Sequence, residues 1–360
     1  MTVTEHVLGA AAFRMGYTTG TCAAAAAKAA TALLCGGEAR PEVEISLPND
    51  ERARLSIEAQ RCDGTVAFAS VRKDAGDDPD VTHRLLVEAT VEFADGELVS
   101  FRAGPGVGTV TLPGLAVPPM EPAINPEPRR QILRAVREIT ERGLVVTLGI
   151  PGGEAVAERT FNPRLGIVGG LSILGTDGRV RPFSHERLVS ALMVSLDVAR
   201  AAGVVNLVLV PGHLGRRTAL AMLHCPRVAV VEVANEFGRV LDGCRSRGFE
   251  RVLLFGHPGK LAKLIAGELD THSSRSGSAL TVVERVASKI GIPLQPNLPT
   301  TEAVFASLNA EDRACLAHRV AFEIRHAVES RFPDFVIAVC LIDWEGNVLG
   351  ADGDALPWTT

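Results

Sequence analysis

Along the chain the pattern of apolar positions changes once, near the middle. Between residues 43 and 104, VEISLPND, ARLSIEAQ, GTVAFASVRKD, LLVEATVEFADG and ELVSFRAG group Val, Ile, Leu and Phe between Pro, Gly, Asn and Asp. Such short runs bounded by turn residues predict strands. Ahead of them Thr21 to Leu34 has high helix propensity, and Gly36-Gly37 supplies its stop. ISLP at 45–48, VTLP at 110–113 and VTLGIPGG at 146–153 each end an apolar run in Pro before a turn. A Pro-rich bridge and an amphipathic helix from Arg129 to Glu141 separate the second from the third, which is expected in the same domain.

From Ser184 onward helical stretches (185–202, 216–224, 236–247, 259–269) alternate with the runs VNLVLV, VAVVEV and RVLLFG. Apolar runs without polar alternation are buried parallel strands covered by helices on both faces. A long helix around Thr301 to Arg331, FVIAVCLID and a polar tail complete the chain. The expectation is therefore two domains: an α+β domain over 1–175 and a Rossmann-like, doubly wound α/β domain over 176–360. The glycine-dense FNPRLGIVGGLSILGTDG at 161–178 is read as the passage between them.

Composition narrows the possibilities. Of 360 residues 46% are hydrophobic and 22% charged, with a formal net charge of −5, and no basic block occurs. A nucleic-acid partner therefore has no electrostatic footprint. Seven cysteines without a C-x-x-C pair argue against a disulfide framework or a zinc ribbon and read as reduced, mostly buried thiols. The start, MTVTEHVLGAAAFRMGY, lacks a basic region followed by an apolar one, and the alanine run is interrupted by Lys28. A cytoplasmic protein with no membrane span is expected. No H-E-x-x-H, G-x-S-x-G or paired-carboxylate word occurs, and the histidines are scattered, so no metal site is expected. Gly104 to Gly108 precedes a strand rather than a helix and reads as a turn or backbone wall.

Chemistry concentrates at two crossings. VLVPGHLGRRTAL and LLFGHPGKLAKL share the word G-H-x-G-[RK], 44 residues apart, each where a parallel strand gives way to a helix. Glycines there let backbone approach a ligand, and a helix start favours negative charge. Arg216 and Lys260 oppose the helix dipole at those positions, a choice suited to an anionic ligand. Tight turns with locally satisfied histidines are the structural alternative. Glu232 follows Gly212 by 20 residues, the spacing of a glycine turn and a ribose-binding acid, although the glycine word is not G-x-G-x-x-G and a strand end reaching solvent is the alternative. GHPGKL is no Walker loop, because two residues separate its glycines and Leu261 replaces the hydroxyl. Thr271 to Arg275 is dense in hydrogen-bonding groups and reads as a capped helix end.

GYTTGTCAAAAAKAA, ERTFNPRLGIVGGLSILGTDG, GHLGR and GFERVLLFGHPGKLAKLIAGELDTHS, in that order, resemble the cobalt-precorrin-5B (C1)-methyltransferase (CbiD) family of cobalamin biosynthesis across nearly the whole chain. One departure is Ser274, which follows the THS word where the family tends to have Arg and then an acid. The resemblance implies methyl transfer from S-adenosylmethionine to a ring carbon of an anionic tetrapyrrole, giving the precorrin-6A level. It also implies an N-terminal domain similar to the second domain of ribosomal protein S5, joined to a Rossmann-like domain. Under it, Gly212, His213, Gly215 and Glu232 are expected to hold the cofactor. Thr18, Thr19, Gly20, Thr21, Arg164, Arg216, Lys260 and Arg275 would meet substrate carboxylates, and His257 is the catalytic candidate, a polar contact near the reacting ring or the base that removes a proton there. The competing class is a non-catalytic tetrapyrrole carrier using the same basic loops; a nucleotide-dependent oxidoreductase, suggested by fold alone, is disfavoured by the incomplete glycine word.

Overall fold

The computed structural model describes residues 13–182, 185–355 and 358. The first twelve residues, on which part of the targeting expectation rests, lie outside them. The fold is mixed α/β, and the chain divides into two compact units, Met1–His185 and Glu186–Thr360.

In the first unit, strands β1 (Ala59–Cys62), β2 (Val66–Arg72), β3 (Leu86–Ala94), β4 (Val99–Ala103) and β5 (Gly143–Gly149) form one sheet in the order β1-β2-β3-β5-β4. Only the β4–β5 pair is parallel. Helix α1 (Thr19–Leu34) packs on β2 and β3 and, on another side, against α2 (Pro126–Arg137). Cys22 to Ala27 are all 0% exposed, so this helix is buried on every side. A helix enclosed in this way needs small side chains all round, which is the reason for the alanine run. At its end Gly36 has φ +81°, and the amides of Gly36 and Gly37 donate to Leu33 and Ala32, a Schellman stop.

The segment 161–178 is no linker. Ile167–Val168 pairs with Thr109–Val110, Leu171 and Ile173 bridge to Val107 and Ile124, and Arg179–Val180 pairs with Gly16–Tyr17. Gly170 is a backbone contact: a methyl group on it would stand 2.3 Å from Gly106 O, and one on its partner Gly106 (φ +74°) 1.8 Å from Ile150 O. Side chains would keep these strands apart, and pairing between distant segments was not legible as a linker pattern.

In the second unit, α3 (His185–Ala201) leads into β6 (Asn206–Val210), α4 (His213–Met222), β7 (Val230–Glu232), α5 (Phe237–Ser246) and β8 (Arg251–Gly256). Then follow α6 (Ala279–Lys289), α7 (Thr301–Ser307), α8 (Ala310–Arg331), β9 (Val336–Ile342) and β10 (Val348–Asp352). The sheet order is β7-β6-β8-β9-β10, parallel except for β10. Residues 207–210 and 252–255 are all buried, as strands covered on both faces require. The predicted long helix is two: Asn309 accepts from the amide of Asp312 at 2.9 Å and starts α8 afresh. The predicted helix 259–269 is a single turn, Pro258–Leu261, continued as a 3-10 turn to Ala266, and the tail expected to be merely polar contains β10.

Candidate active site

From β6 the chain crosses to β7 on one side, then returns past β6 to β8 on the other. The strand order reverses between β6 and β8, and a crevice opens beyond their carboxyl ends at such a reversal. The two G-H-x-G turns leave those two strands, so topology brings together what the sequence placed 44 residues apart. A cavity of about 440 Å³ lies there, within the range of small-molecule sites. Pro211 to Gly215, His257, Gly259, Lys260, Thr300 to Glu302 and Trp344 line it.

The first turn is open. Gly212 precedes α4 in extended backbone, and a methyl group added there meets nothing within 4 Å. Its backbone would tolerate any residue, so the fold gives no reason for glycine, whereas clearance for a ligand does. Gly215 lies where α4 rides close over the sheet, 3.2 Å from Phe255 O and from Val210 Cβ if it bore a methyl group. His213 is exposed at the helix start.

The second turn is internally bonded. His257 Nδ1 accepts from the amide of Gly259 at 3.0 Å and caps the one-turn helix. Nε2 stands 2.7 Å from Glu302 Oε2 and, with Nδ1 accepting, is the donor. The imidazole also stacks on Trp344, centroids 4.4 Å apart. Lys260 Nζ donates to Asn235 Oδ1 at 2.9 Å. Burial, helped by Lys263, holds this ammonium below the ordinary lysine value, and Glu232 opposes that shift.

The remaining candidates fall elsewhere. Glu232 ends β7 in register with Val210, beside the first turn but outside the cavity wall, with one carboxylate oxygen buried. Arg216, expected to meet an anionic ligand, is 9% exposed and donates to Val230 O. Arg275 is exposed and forks onto Asp270, at 2.5 and 3.2 Å.

Thr18 to Thr21 are buried in the first unit. Thr18 Oγ1 accepts from the amide of Thr21, Thr21 Oγ1 donates to Gly178 O, and the hydroxyl of Thr19 takes the Leu174 amide. The Gly20 amide donates to Leu174 O, and a methyl group on Gly20 would stand 2.8 Å from Pro128 Cγ. The three hydroxyls and the glycine thus have work in closing the unit. Arg164 lies over the Phe161 ring.

Sequence reasoning missed Glu302, Trp344 and Asn235. Trp344 carried one signal, being one of two tryptophans in a chain only 4% aromatic. All seven cysteines are free; Cys22 and Cys244 are buried, and burial pushes both thiols up to about 12, but Cys35, Cys62 and Cys315 are exposed, against the expectation of mostly buried thiols. Among the described residues no helix is long and apolar enough to cross a membrane, and no three His, Cys, Asp or Glu side chains gather for a metal.

A mostly parallel sheet with glycine turns, a His–Glu pair and a half-buried lysine at its switch point defines an α/β protein with a candidate small-molecule site at its strand ends. The CbiD family model matches residues 7–182. A cobalt-precorrin-5B C(1)-methyltransferase of Syntrophotalea carbinolica is 48% identical over 347 residues, 95% of this chain and 98% of that one. One of Moorella thermoacetica is 40% identical over 354 residues, 94% of this chain and 95% of that one. The crystal structure of a cobalamin biosynthesis protein (cbiD) from Archaeoglobus fulgidus is 28% identical, covers 78% of this chain and 85% of its own, and has a TM-score of 0.39. The chain belongs to the CbiD family of cobalt-precorrin-5B C(1)-methyltransferases.

Proposed function

We propose that the protein transfers a methyl group from S-adenosylmethionine to C-1 of cobalt-precorrin-5B, or its metal-free counterpart, giving the precorrin-6A level of cobalamin biosynthesis. The observation that carries this reading is the 48% identity to the Syntrophotalea carbinolica methyltransferase over 95% of the chain. The finer fold readings accompany it: a first domain like the second domain of ribosomal protein S5, a Rossmann-like doubly wound second domain whose boundary lies near residue 185 rather than 175, and a cytoplasmic setting.

In the transfer, the electron-rich ring carbon bonds to the methyl carbon as the carbon–sulfur bond breaks, and its electron pair leaves on a neutral thioether. Both reactants arrive activated, so the protein's task is alignment, worth roughly 7 to 11 kcal/mol when complete. This chemistry needs neither a metal nor a nucleophile word. The residues at the switch point fit such a donor: Gly212 leaves room for close approach, Glu232 stands one strand away from that turn for ribose hydroxyls, and Glu302 and Lys260 supply opposite charges. His257, with Nδ1 tied to its own turn, serves through Glu302 rather than as a free base.

Incubation of purified protein with methyl-labelled S-adenosylmethionine and cobalt-precorrin-5B should give a labelled product heavier by one methyl group. Binding of both ligands without labelled product would overturn the reading.

A further inference from the structure

We infer that the crevice grips the amino-acid end of the methyl donor between two opposite charges, the Glu302 carboxylate on its ammonium group and the Lys260 ammonium on its carboxylate. The inference rests on the reading that this crevice holds S-adenosylmethionine. Glu302 and Lys260 line the same cavity of about 440 Å³, and besides them only His213 and His257 among its lining residues can carry charge. One anion and one cation facing one small space complement a zwitterion. A phosphate-bearing nucleotide would instead meet Glu302 with repulsion, which sets this crevice apart from a dinucleotide site built on a similar turn.

The local bonding fixes both poles. Because Nδ1 of His257 accepts the Gly259 amide at 3.0 Å, the ring proton is on Nε2 and is given to Glu302 Oε2 at 2.7 Å. A neutral imidazole orients the carboxylate without cancelling its charge, and one such donor fills one of about four acceptor positions on the two oxygens. The stack on Trp344, at 4.4 Å, keeps the imidazole from turning. On the other pole, Lys260 Nζ is directed by Asn235 Oδ1 at 2.9 Å and Ala234 O at 3.5 Å, leaving the third of its donors for a ligand.

The test is calorimetry on the full-length chain with S-adenosylhomocysteine and 5′-methylthioadenosine, which share the adenosine and thioether but differ in the amino-acid end. The wild type should prefer S-adenosylhomocysteine by tenfold or more. Glu302→Gln, which retains an acceptor for His257, should weaken that ligand about tenfold, the scale of a charged hydrogen bond, and leave 5′-methylthioadenosine unchanged. Lys260→Met should act in the same direction. Equal wild-type affinity for the two ligands would overturn the inference while the cofactor reading stands, and so would equal losses of both in E302Q, which mark Glu302 as structural. Binding of neither ligand by the wild type would overturn the cofactor reading itself and the inference with it.

Discussion

Gly212 and Gly256 open the same short word, yet a methyl group at Gly212 meets nothing within 4 Å and one at Gly256 would stand 2.6 Å from Pro211 Cδ. The histidines that follow divide likewise, His213 exposed at the start of α4 and His257 bonded through both ring nitrogens. The cations that close the word also part, Arg216 turning to the Val230 carbonyl and Lys260 facing the cavity. One motif therefore serves two purposes. The first turn keeps a space open, and the second builds the wall that faces it.

The largest contrast should appear at the glycines. Gly256→Ala forces an overlap inside a packed turn and should cost about 2–3 kcal/mol, seen as a lower urea midpoint for the second unit. Gly212→Ala should leave stability within about 0.5 kcal/mol of wild type while weakening S-adenosylhomocysteine about tenfold or more by calorimetry, since one buried-site overlap of this kind reaches that size. Equal stability losses at both positions would erase the distinction between an open turn and a wall.

The histidines come next. His257→Ala removes a helix cap and a ring stack and should cost about 1–2 kcal/mol in thermal or urea unfolding, against less than about 0.5 kcal/mol for His213→Ala. His257→Asn sharpens the point. Asparagine is a good cap and should recover most of the stability, but with Glu302 no longer held by the ring, affinity for the donor should stay low.

How much of this was legible in the sequence follows the range of the forces involved. The strands Val66–Arg72, Arg251–Gly256 and Val336–Ile342 and the helix stop at Gly36-Gly37 rest on local pattern and turn chemistry, and they were read close to their ends. The two turns were also read, because glycine and histidine at strand ends are local words. Glu302 and Trp344 come from α7 and from the turn after β9, and no spacing rule links them to residues 212–260. Only the packing of α7 and that turn against the second loop makes them part of the cavity. The contact of Arg216 is hidden for the same reason: the carbonyl it meets belongs to the neighbouring strand, which sequence order does not disclose.

The smallest effect separates the two cations by pH. The folded state holds the Lys260 proton more weakly than the unfolded chain does, because burial and Lys263 disfavour the ammonium, while Glu232 partly restores it. Between the lowered folded value and the unfolded value of 10.5 the unfolded state binds more protons, so stability rises with pH across that window. Below the window the ammonium is charged in both states and its burial counts fully against folding; above 10.5 that cost is gone. Lys260→Met does not titrate there, so urea unfolding should show wild type gaining on the variant as pH climbs toward 10.5, by less than the effects at the glycines and His257 because the side chain is only half buried. An arginine keeps its proton throughout that range, so wild type and Arg216→Met should keep a constant difference. A gap that widens against wild type with rising pH at position 260 would mean that Lys260 is stabilised by its surroundings, and the second turn would then lack the poised cation that distinguishes it from the first.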